Sequence, residues 1–130
     1  MDRLKFRVWD NETQSYEQNL HHCFLNSKGE LFDRSEYDKN ERFVLYPAVN
    51  KSVELCTGLK DKNGNLIYEG DIVDVLPEVE TTGVVKWSDD LARFTIIYEN
   101  ICCDFDNYYG YDLEIIGNIH ENPELMEEVK

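Results

Sequence analysis

The sequence predicts a mostly β fold, of the β-rich α+β kind, with a small N-terminal part in residues 1–56 and a small antiparallel barrel in residues 57–130. Short stretches in which apolar and polar residues alternate indicate strands rather than helices. Six of the seven glycines lie beyond Thr57, where they separate short apolar runs, a pattern typical of small barrels. The chain of 130 residues is 42% hydrophobic and 12% aromatic, which is enough apolar surface for a folded core.

The N-terminal part begins with a predicted strand at Leu4–Asp10, in which Leu4, Phe6 and Val8 share one face. Trp9 is expected to pack in the core or between domains, but it falls on the opposite face, where an exposed tryptophan would indicate a subunit interface. The charged stretch Asp33–Arg42 has almost no apolar residue and is predicted as a loop that could contain one short helical turn. Further strands are predicted within Tyr16–Leu25 and at Phe43–Tyr46 and Val53–Cys56.

The C-terminal part contains short apolar runs that are separated by glycine or aspartate. We predict strands at Leu66–Tyr68, Asp71–Leu76, Gly83–Trp87, Arg93–Tyr98 and Leu113–Ile116. A short C-terminal helix is predicted to begin at Pro123, because the fixed φ of proline suits a first helical position and Asn122 is a candidate N-cap. No apolar run has the ~18 residues that a membrane-spanning helix needs, so no membrane association is expected.

The acidic stretch DKNGNLIYEGD (Asp61–Asp71) could be a calcium loop or a turn. An EF-hand loop that starts at Asp61 would need glycine at its sixth position and glutamate at its twelfth. Those positions hold Leu66 and Ile72, so calcium binding is not expected.

The turn interpretation fits this stretch better. An Asn-Gly pair is a strong hairpin signal because both residues tolerate positive φ, and an aspartate before it can accept hydrogen bonds from the following backbone N–H groups. A second tight turn is predicted at Glu69-Gly70-Asp71. The predicted turn residues are Asp61, Asn63, Gly64, Gly70 and Asp71.

Catalytic and metal-binding alternatives have weak support in the sequence. Glu69 and Asp71 would lie ~7 Å apart on a regular strand, as acid pairs of glycosidases do, but Gly70 makes regular geometry doubtful. His21-His22-Cys23 lacks the paired ligand spacing of zinc sites. Catalytic residues, metal and cofactor are therefore not expected, and the four cysteines are expected to be reduced thiols of a cytoplasmic protein.

The formal net charge of −14 is unevenly distributed along the chain. Residues 1–60 carry 9 basic and 10 acidic side chains, whereas residues 61–130 carry 4 and 17. Such acidity repels phosphate, so direct nucleic-acid binding is not expected. The acidic half is interpreted either as a solvated surface or as a surface that meets a basic protein.

Four aromatic residues cluster beside acids in a predicted loop at Asp104–Tyr111. Tyrosines in loops offer contact area and a hydroxyl group at low entropic cost. They would either close the end of the barrel or contact a partner, and the candidate contact residues are Phe105, Tyr108, Tyr109 and Tyr111.

Several segments resemble the YopX-like family of bacteriophage and prophage proteins. The segment TGLKDKNGNLIYEGDIV is similar to the family signature, and IGNIHENPEL is similar to its C-terminal motif. Three further segments resemble strands of the same family: Lys5–Asp10, Gly83–Trp87 and Arg93–Ile96. Residues 11–50 show no match to the family. The resemblance implies a C-terminal SH3-like barrel and a phage origin, but it implies no activity and no catalytic or binding residues.

These observations favour a non-enzymatic phage accessory protein that acts through protein–protein contacts in the cytoplasm of an infected or lysogenic bacterial host. Its partner would be a host or phage protein, and it is expected to form a homo-oligomer. An alternative hypothesis is an acidic nucleic-acid mimic that blocks a host DNA-handling protein. A third hypothesis is a hydrolase that uses Glu69 and Asp71.

Overall fold

The computed structural model describes residues 4–76, 79–98, 101–104 and 113–126. The chain divides into two compact units. One unit consists of Met1–Phe6 and Glu54–Lys130, and we call it the acidic unit; the other consists of Arg7–Val53, and we call it the inserted unit. The chain enters the inserted unit after Phe6 and leaves it after Val53. The predicted domains, residues 1–56 and 57–130, stay a prediction.

The described residues form twelve strands, and a short 3-10 turn follows the last of them. The strands are β1 (Phe6–Asp10), β2 (Ser15–Tyr16), β3 (Phe24–Leu25), β4 (Leu31–Tyr37), β5 (Phe43–Pro47), β6 (Lys51–Lys60), β7 (Leu66–Tyr68), β8 (Asp71–Leu76), β9 (Val79–Ser88), β10 (Arg93–Tyr98), β11 (Ile101–Asp104) and β12 (Glu114–Asn118). The 3-10 turn is Pro123–Leu125. The predicted mostly β fold is confirmed.

The acidic unit is built on a five-stranded antiparallel sheet with the order β11-β10-β9-β8-β12. The sheet is curled like half of a barrel; the SH3-like detail stays a prediction. Three of its strands contribute fully buried side chains to the core. These are Val73, Val75, Val85 and Ile96. They form one core with Ile67 and Leu113. Successive side chains of a strand point to opposite faces of the sheet. The alternation of apolar residues in the sequence therefore predicts this core.

The hairpin of β6 and β7 also belongs to the acidic unit. Its register pairs Cys56 with Tyr68 and Lys60 with Leu66, with an irregularity between the two pairs. Cys56 is buried, and its backbone N–H donates a hydrogen bond of 2.9 Å to the carbonyl oxygen of Lys5. The short N-terminal segment is thereby joined to the strand that follows the inserted unit.

The inserted unit contains the β1–β2 pair and a three-stranded antiparallel sheet of order β3-β4-β5. In the first pair, Trp9 faces Tyr16 across the strands, and the two rings meet edge to face at a centroid distance of 4.9 Å. Val8 and Trp9 are both buried, and Trp9 is 2% exposed. The alternative of an exposed interfacial Trp9 is therefore wrong, because both faces of β1 are covered at this point.

The loop predicted at Asp33–Arg42 is wrong over its first half, because β4 continues to Tyr37. Five residues of β4 pair with β5, and the register shifts once between Phe32 and Arg34. Residues 38–42 form the turn, in which Asp38 Oδ1 accepts hydrogen bonds from the backbone N–H groups of Asn40 (2.8 Å) and Arg42 (3.0 Å). Charged side chains are compatible with a strand whose residues are solvated.

The predicted C-terminal helix begins in the described residues with the 3-10 turn Pro123–Leu125, and residues 127–130 lie outside the described part of the chain. Asn122 precedes it, but its side chain makes no capping hydrogen bond to the turn. Its Oδ1 instead accepts a hydrogen bond of 3.2 Å from the backbone N–H of Asn118. Within the described part of the chain, no helix is long and apolar enough to span a membrane.

Candidate functional site

Asp61 organises the turn between β6 and β7. Its Oδ1 accepts hydrogen bonds from the backbone N–H groups of Asn63 (3.0 Å) and Asn65 (2.9 Å). Its Oδ2 accepts a third, of 3.1 Å, from the backbone N–H of Ile115. Gly64 occupies the turn with φ = +83°. The side chain that resembled a calcium ligand in the sequence therefore holds two backbone segments.

The ionisation of Asp61 is consistent with this role. Burial by itself raises the pKa of this carboxyl, but the backbone N–H groups of Ile115, Asn65 and Asn63 outweigh it and lower the pKa below its ordinary value. The charged form is thus favoured by fixed donors rather than by a cation. Among the residues that the structure describes, no group of three acidic, histidine or cysteine side chains could hold a metal ion.

The acids of the Glu69-Gly70-Asp71 corner also bind the backbone. Asp71 is buried, and its Oδ2 accepts a hydrogen bond of 2.8 Å from the N–H of Tyr68. Glu69 Oε1 accepts a hydrogen bond of 3.3 Å from the N–H of Leu55. Gly70 has φ = +89°. Both carboxylates take part in folding the corner, which argues against the hydrolase hypothesis.

A buried pair that sequence reasoning missed lies beside this corner. Glu54 is 4% exposed, and its Oε2 forms a hydrogen bond of 2.8 Å with His120 Nε2. A Cβ atom at Gly70 would lie 2.7 Å from the same Oε2, so glycine leaves room for the carboxylate. Nothing in the alternating stretch around Glu54 distinguishes it from a surface acid, and His120 is separated from it by 66 residues.

The two segments that carry most of the family resemblance meet in the acidic unit. Strands β8 and β12 pair, and they do so through an irregularity between Ile115 and Gly117. The backbone N–H of Lys62 donates to the carbonyl oxygen of Leu113 (2.9 Å), and the N–H of Ile119 donates to that of Gly70 (3.0 Å). Together with Asp61 and Glu54, these contacts give the shared sequence motifs a structural role.

In the part of the chain that the structure describes, the histidine and cysteine candidates belong to no group that could hold a metal ion. His21 and His22 are exposed. Burial raises the pKa of the Cys23 thiol, and the carboxylate of Glu17 raises it further, so this cysteine is less reactive than a free thiol. Cys56 is buried. Cys102 and Cys103 lie on β11.

The predicted aromatic contact residues cannot be placed in this site. Phe105, Tyr108, Tyr109 and Tyr111 lie outside the residues that the structure describes. Their contact with a partner stays a prediction.

The inserted unit contains a polar cleft of about 480 Å³. Its central cation is Lys51, whose Nζ lies 2.7 Å from Glu17 Oε1 and 2.6 Å from Asp33 Oδ2. These two partners raise the pKa of the Lys51 ammonium group, so Lys51 stays protonated and cannot act as a base or nucleophile at neutral pH. The cleft is lined by Asp10, Glu12, Glu17, His22, Asp33, Arg34, Tyr46, Pro47, Val49 and Lys51.

The sheet of the inserted unit has two chemically different faces. On one face, the Arg34 guanidinium lies 4.4 Å from the centre of the Tyr46 ring, and the Tyr46 hydroxyl donates a hydrogen bond of 2.7 Å to Glu36 Oε1. This hydrogen bond to Glu36 raises the pKa of Tyr46. The charged groups Arg34 and Glu36 are therefore held on this side of the sheet.

The opposite face of the paired residues carries no charged side chain, and we call it the uncharged face. The strand register pairs Tyr37 with Phe43, Ser35 with Leu45, and Phe32 with Pro47. Directly opposed residues of antiparallel strands point to the same side. The same rule adds Phe24, which pairs with Phe32. The uncharged face consists of Phe24, Phe32, Ser35, Tyr37, Phe43, Leu45 and Pro47.

Much of the uncharged face is accessible to solvent. Tyr37 is 71% exposed and Phe43 is 54% exposed, although their rings touch at a centroid distance of 5.5 Å. Phe24 and Leu45 are also exposed. Sequence reasoning missed this surface because the charged stretch that contains Tyr37 predicts a loop. Recognition of β4 as a strand would have aligned its side chains with those of β5.

The fold and these sites define a small, mostly β protein whose candidate acids serve the backbone and whose inserted unit exposes an aromatic surface. The sequence matches the family model described as YopX protein over residues 5–127, and the chain belongs to the YopX family. The family expected from the sequence motifs is therefore confirmed. The chain is 32% identical over 138 residues to the SPbeta prophage-derived uncharacterized protein YopX of Bacillus subtilis strain 168. That alignment covers 96% of this chain and 97% of the relative.

Two solved structures have a similar fold. The crystal structure of protein EF1440 from Enterococcus faecalis matches with a TM-score of 0.60 and 24% identity, over 94% of this chain and 96% of that chain. The crystal structure of YopX from Bacillus subtilis matches with a TM-score of 0.57 and 22% identity, over 96% and 98%. The fold of this chain is therefore similar to both structures over nearly their whole length.

Proposed function

We propose that this protein is a non-enzymatic phage accessory protein that acts through protein–protein contacts, and that the uncharged face of the inserted unit is its contact surface. The observation that carries the proposal is the exposure of four large apolar side chains on one uncharged face of a chain that has a net charge of −14. Exposed apolar patches mark interaction sites, and the rings of Tyr37 and Phe43 are in direct contact on this face. Aromatic residues are also enriched at interfaces.

The chemistry of the candidate acids supports a role without catalysis. Three candidate acids accept hydrogen bonds from backbone N–H groups: Asp61, Glu69 and Asp71. Lys51 is held between two carboxylates. Such groups stabilise local structure and are poorly placed to exchange protons with a substrate. The prophage-derived relative from Bacillus subtilis supports a phage origin, and hence action in the cytoplasm of an infected or lysogenic bacterial host.

The experiment is a comparative affinity capture from bacterial lysate made before and after phage induction. The wild-type chain is compared with Tyr37→Ser/Phe43→Ser, which removes the most exposed rings of the uncharged face. The control is Leu91→Ser, which removes a similarly exposed apolar side chain (48%) from the acidic unit. We expect a captured protein, which can be the untagged chain itself, to be lost with the double variant and kept with the control.

The proposal is overturned if the double variant remains folded and captures the same proteins in the same amounts as the wild-type chain. Circular dichroism and thermal unfolding of both variants establish that the inserted unit is folded. Measurement of both serine variants in parallel separates the loss of a specific surface from a general loss of apolar area.

A second candidate function, an acidic nucleic-acid mimic, is favoured by the distribution of charge. Arg7–Val53 carries 8 acidic and 6 basic side chains, whereas the rest of the chain carries 19 and 7. The acidic unit thus has a net charge of −12 and the inserted unit −2. A mimic would bind a basic DNA-handling protein through the acidic unit, duplex DNA would compete with it, and substitutions in the uncharged face would leave binding unchanged.

A further inference from the structure

We infer that the occupant of the uncharged face is a second copy of this chain, so that two inserted units pack with these faces opposed. This inference rests on the proposed function, because it names the partner of the same surface. It specifies both the residues at the interface and its symmetry, which the expectation of a homo-oligomer does not.

The first argument is the chemistry of the surface. An interface around a two-fold axis places the same patch on both partners, so the patch must be complementary to itself. A patch that carries charges of one sign fails this requirement because like charges meet. The uncharged face satisfies it, since its members are aromatic, aliphatic or hydroxyl-bearing, and Arg34 and Glu36 are held on the other side of the sheet.

The second argument is the location of the surface in the chain. A basic partner would be attracted to the acidic unit, whose net charge is −12, rather than to an inserted unit of −2. Two inserted units repel each other much less than two acidic units do. The unit that contains the uncharged face is therefore also the unit on which a second copy can approach at the lowest electrostatic cost.

The third argument is the available area. Aromatic side chains have a surface of roughly 150–250 Å² each, so the exposed fractions of Tyr37, Phe43 and Phe24 leave on the order of 300 Å² of accessible ring surface. A standard interface buries about 800 Å² on each partner. The uncharged face is thus large enough for the apolar centre of such an interface, with polar residues around it.

The test is sedimentation equilibrium of the purified full-length chain from about 1 to about 500 μM, a range that covers dimers of ordinary affinity. We expect the wild-type chain to form dimers in this range. Phe43→Asp places a charge within the proposed interface and is expected to raise the dimer Kd by at least about tenfold. Leu91→Asp, on the acidic unit, is expected to leave the Kd unchanged.

A second measurement covers the case in which Phe43→Asp unfolds the inserted unit. Hydrogen exchange of the wild-type chain is followed across the same concentrations, and the amides of β5 are expected to become more protected as the concentration rises. A wild-type chain that stays monomeric, or dimers that survive in folded Phe43→Asp, would overturn the inference. If the wild-type chain is monomeric but the serine variants still lose a captured protein, the proposed function stands and only the identity of its partner changes.

Discussion

Asp61 shows how one side chain can join two segments that are distant in the sequence. Its carboxylate accepts hydrogen bonds from the backbone N–H groups of Asn63, Asn65 and Ile115. Replacement with alanine leaves these donors without their acceptor in a partly buried site. Since each unsatisfied buried donor costs about 1–3 kcal/mol, we expect Asp61→Ala to lower the free energy of unfolding by about 2–4 kcal/mol, measured by urea denaturation.

Asp89 provides the control for this prediction. It lies in the same unit, is exposed, and accepts one hydrogen bond of 3.0 Å from Trp87 Nε1. Asp89→Ala should change stability by less than about 1 kcal/mol, as exposed substitutions usually do. Equal losses in the two variants would contradict the role that the structure gives to Asp61.

The lowered pKa of Asp61 predicts how its contribution to stability depends on pH. A carboxyl whose pKa is lower in the folded state stabilises the fold above the unfolded pKa of about 3.9, and this contribution is lost as the pH falls through the folded pKa. The difference in unfolding free energy between wild type and Asp61→Asn should therefore be constant near neutral pH and shrink below about pH 4. A difference that grows on acidification would refute this assignment.

Gly64 allows a separate test of backbone strain. It has φ = +83°, and a Cβ atom there would meet nothing within 4 Å. Valine at this position is therefore strained by its backbone alone, and Gly64→Val is expected to destabilise the fold by about 1–2 kcal/mol. Asparagine tolerates positive φ, so thermal unfolding of Gly64→Asn should lie closer to that of wild type. Unchanged stability in Gly64→Val would contradict the turn.

At the scale of elements, three residues connect the corner before β8 with the segment after β12. They are Gly70, Glu54 and His120. Gly70→Ala adds a Cβ atom 2.7 Å from Glu54 Oε2, and relief of this contact requires Glu54 to move away from His120. We expect Gly70→Ala to destabilise the fold by about 2–4 kcal/mol, which combines backbone strain and a disturbed buried hydrogen bond. Gly64→Ala, with strain alone, should lose about 1 kcal/mol.

A double-mutant cycle separates the two contributions at Gly70. In the Glu54→Ala background, the carboxylate that obstructs the added Cβ atom is absent, so the same glycine substitution should lose only the strain. Urea unfolding of the four chains gives the interaction energy, which is expected to exceed about 1 kcal/mol for groups in contact. Additive effects would mean that the corner adjusts without displacing Glu54.

The elements also show which parts of the fold the sequence could predict. Strands β8 and β10 are recognised by the alternation of neighbouring residues, and the first turn by its Asn-Gly pair. Local sequence patterns are therefore sufficient to predict these elements. The charged residues of β4 predict a loop, because the partners on β5 that stabilise them, such as Tyr46 for Arg34, are distant in the sequence. The Glu54–His120 pair was missed for the same reason, since its two residues are 66 positions apart.

Across the whole molecule, most of the net charge and the uncharged face belong to different units of the chain. The acidic unit carries a net charge of −12, whereas the uncharged face belongs to the inserted unit of −2. The uneven charge of the two halves was evident in the sequence. The uncharged face was not, because the strand register that aligns its seven residues is set by pairing between strands.

This separation gives the two candidate functions opposite dependences on salt. Self-association through the uncharged face brings together two chains of −14, so screening of their repulsion should tighten it as NaCl rises from about 50 to about 500 mM. Binding of a basic protein to the acidic unit should instead weaken over the same range, because screening removes the attraction. Sedimentation of the chain alone measures the first dependence, and salt elution of captured proteins measures the second. A dimer that dissociates at high salt would show that charged contacts, rather than the uncharged face, hold it together.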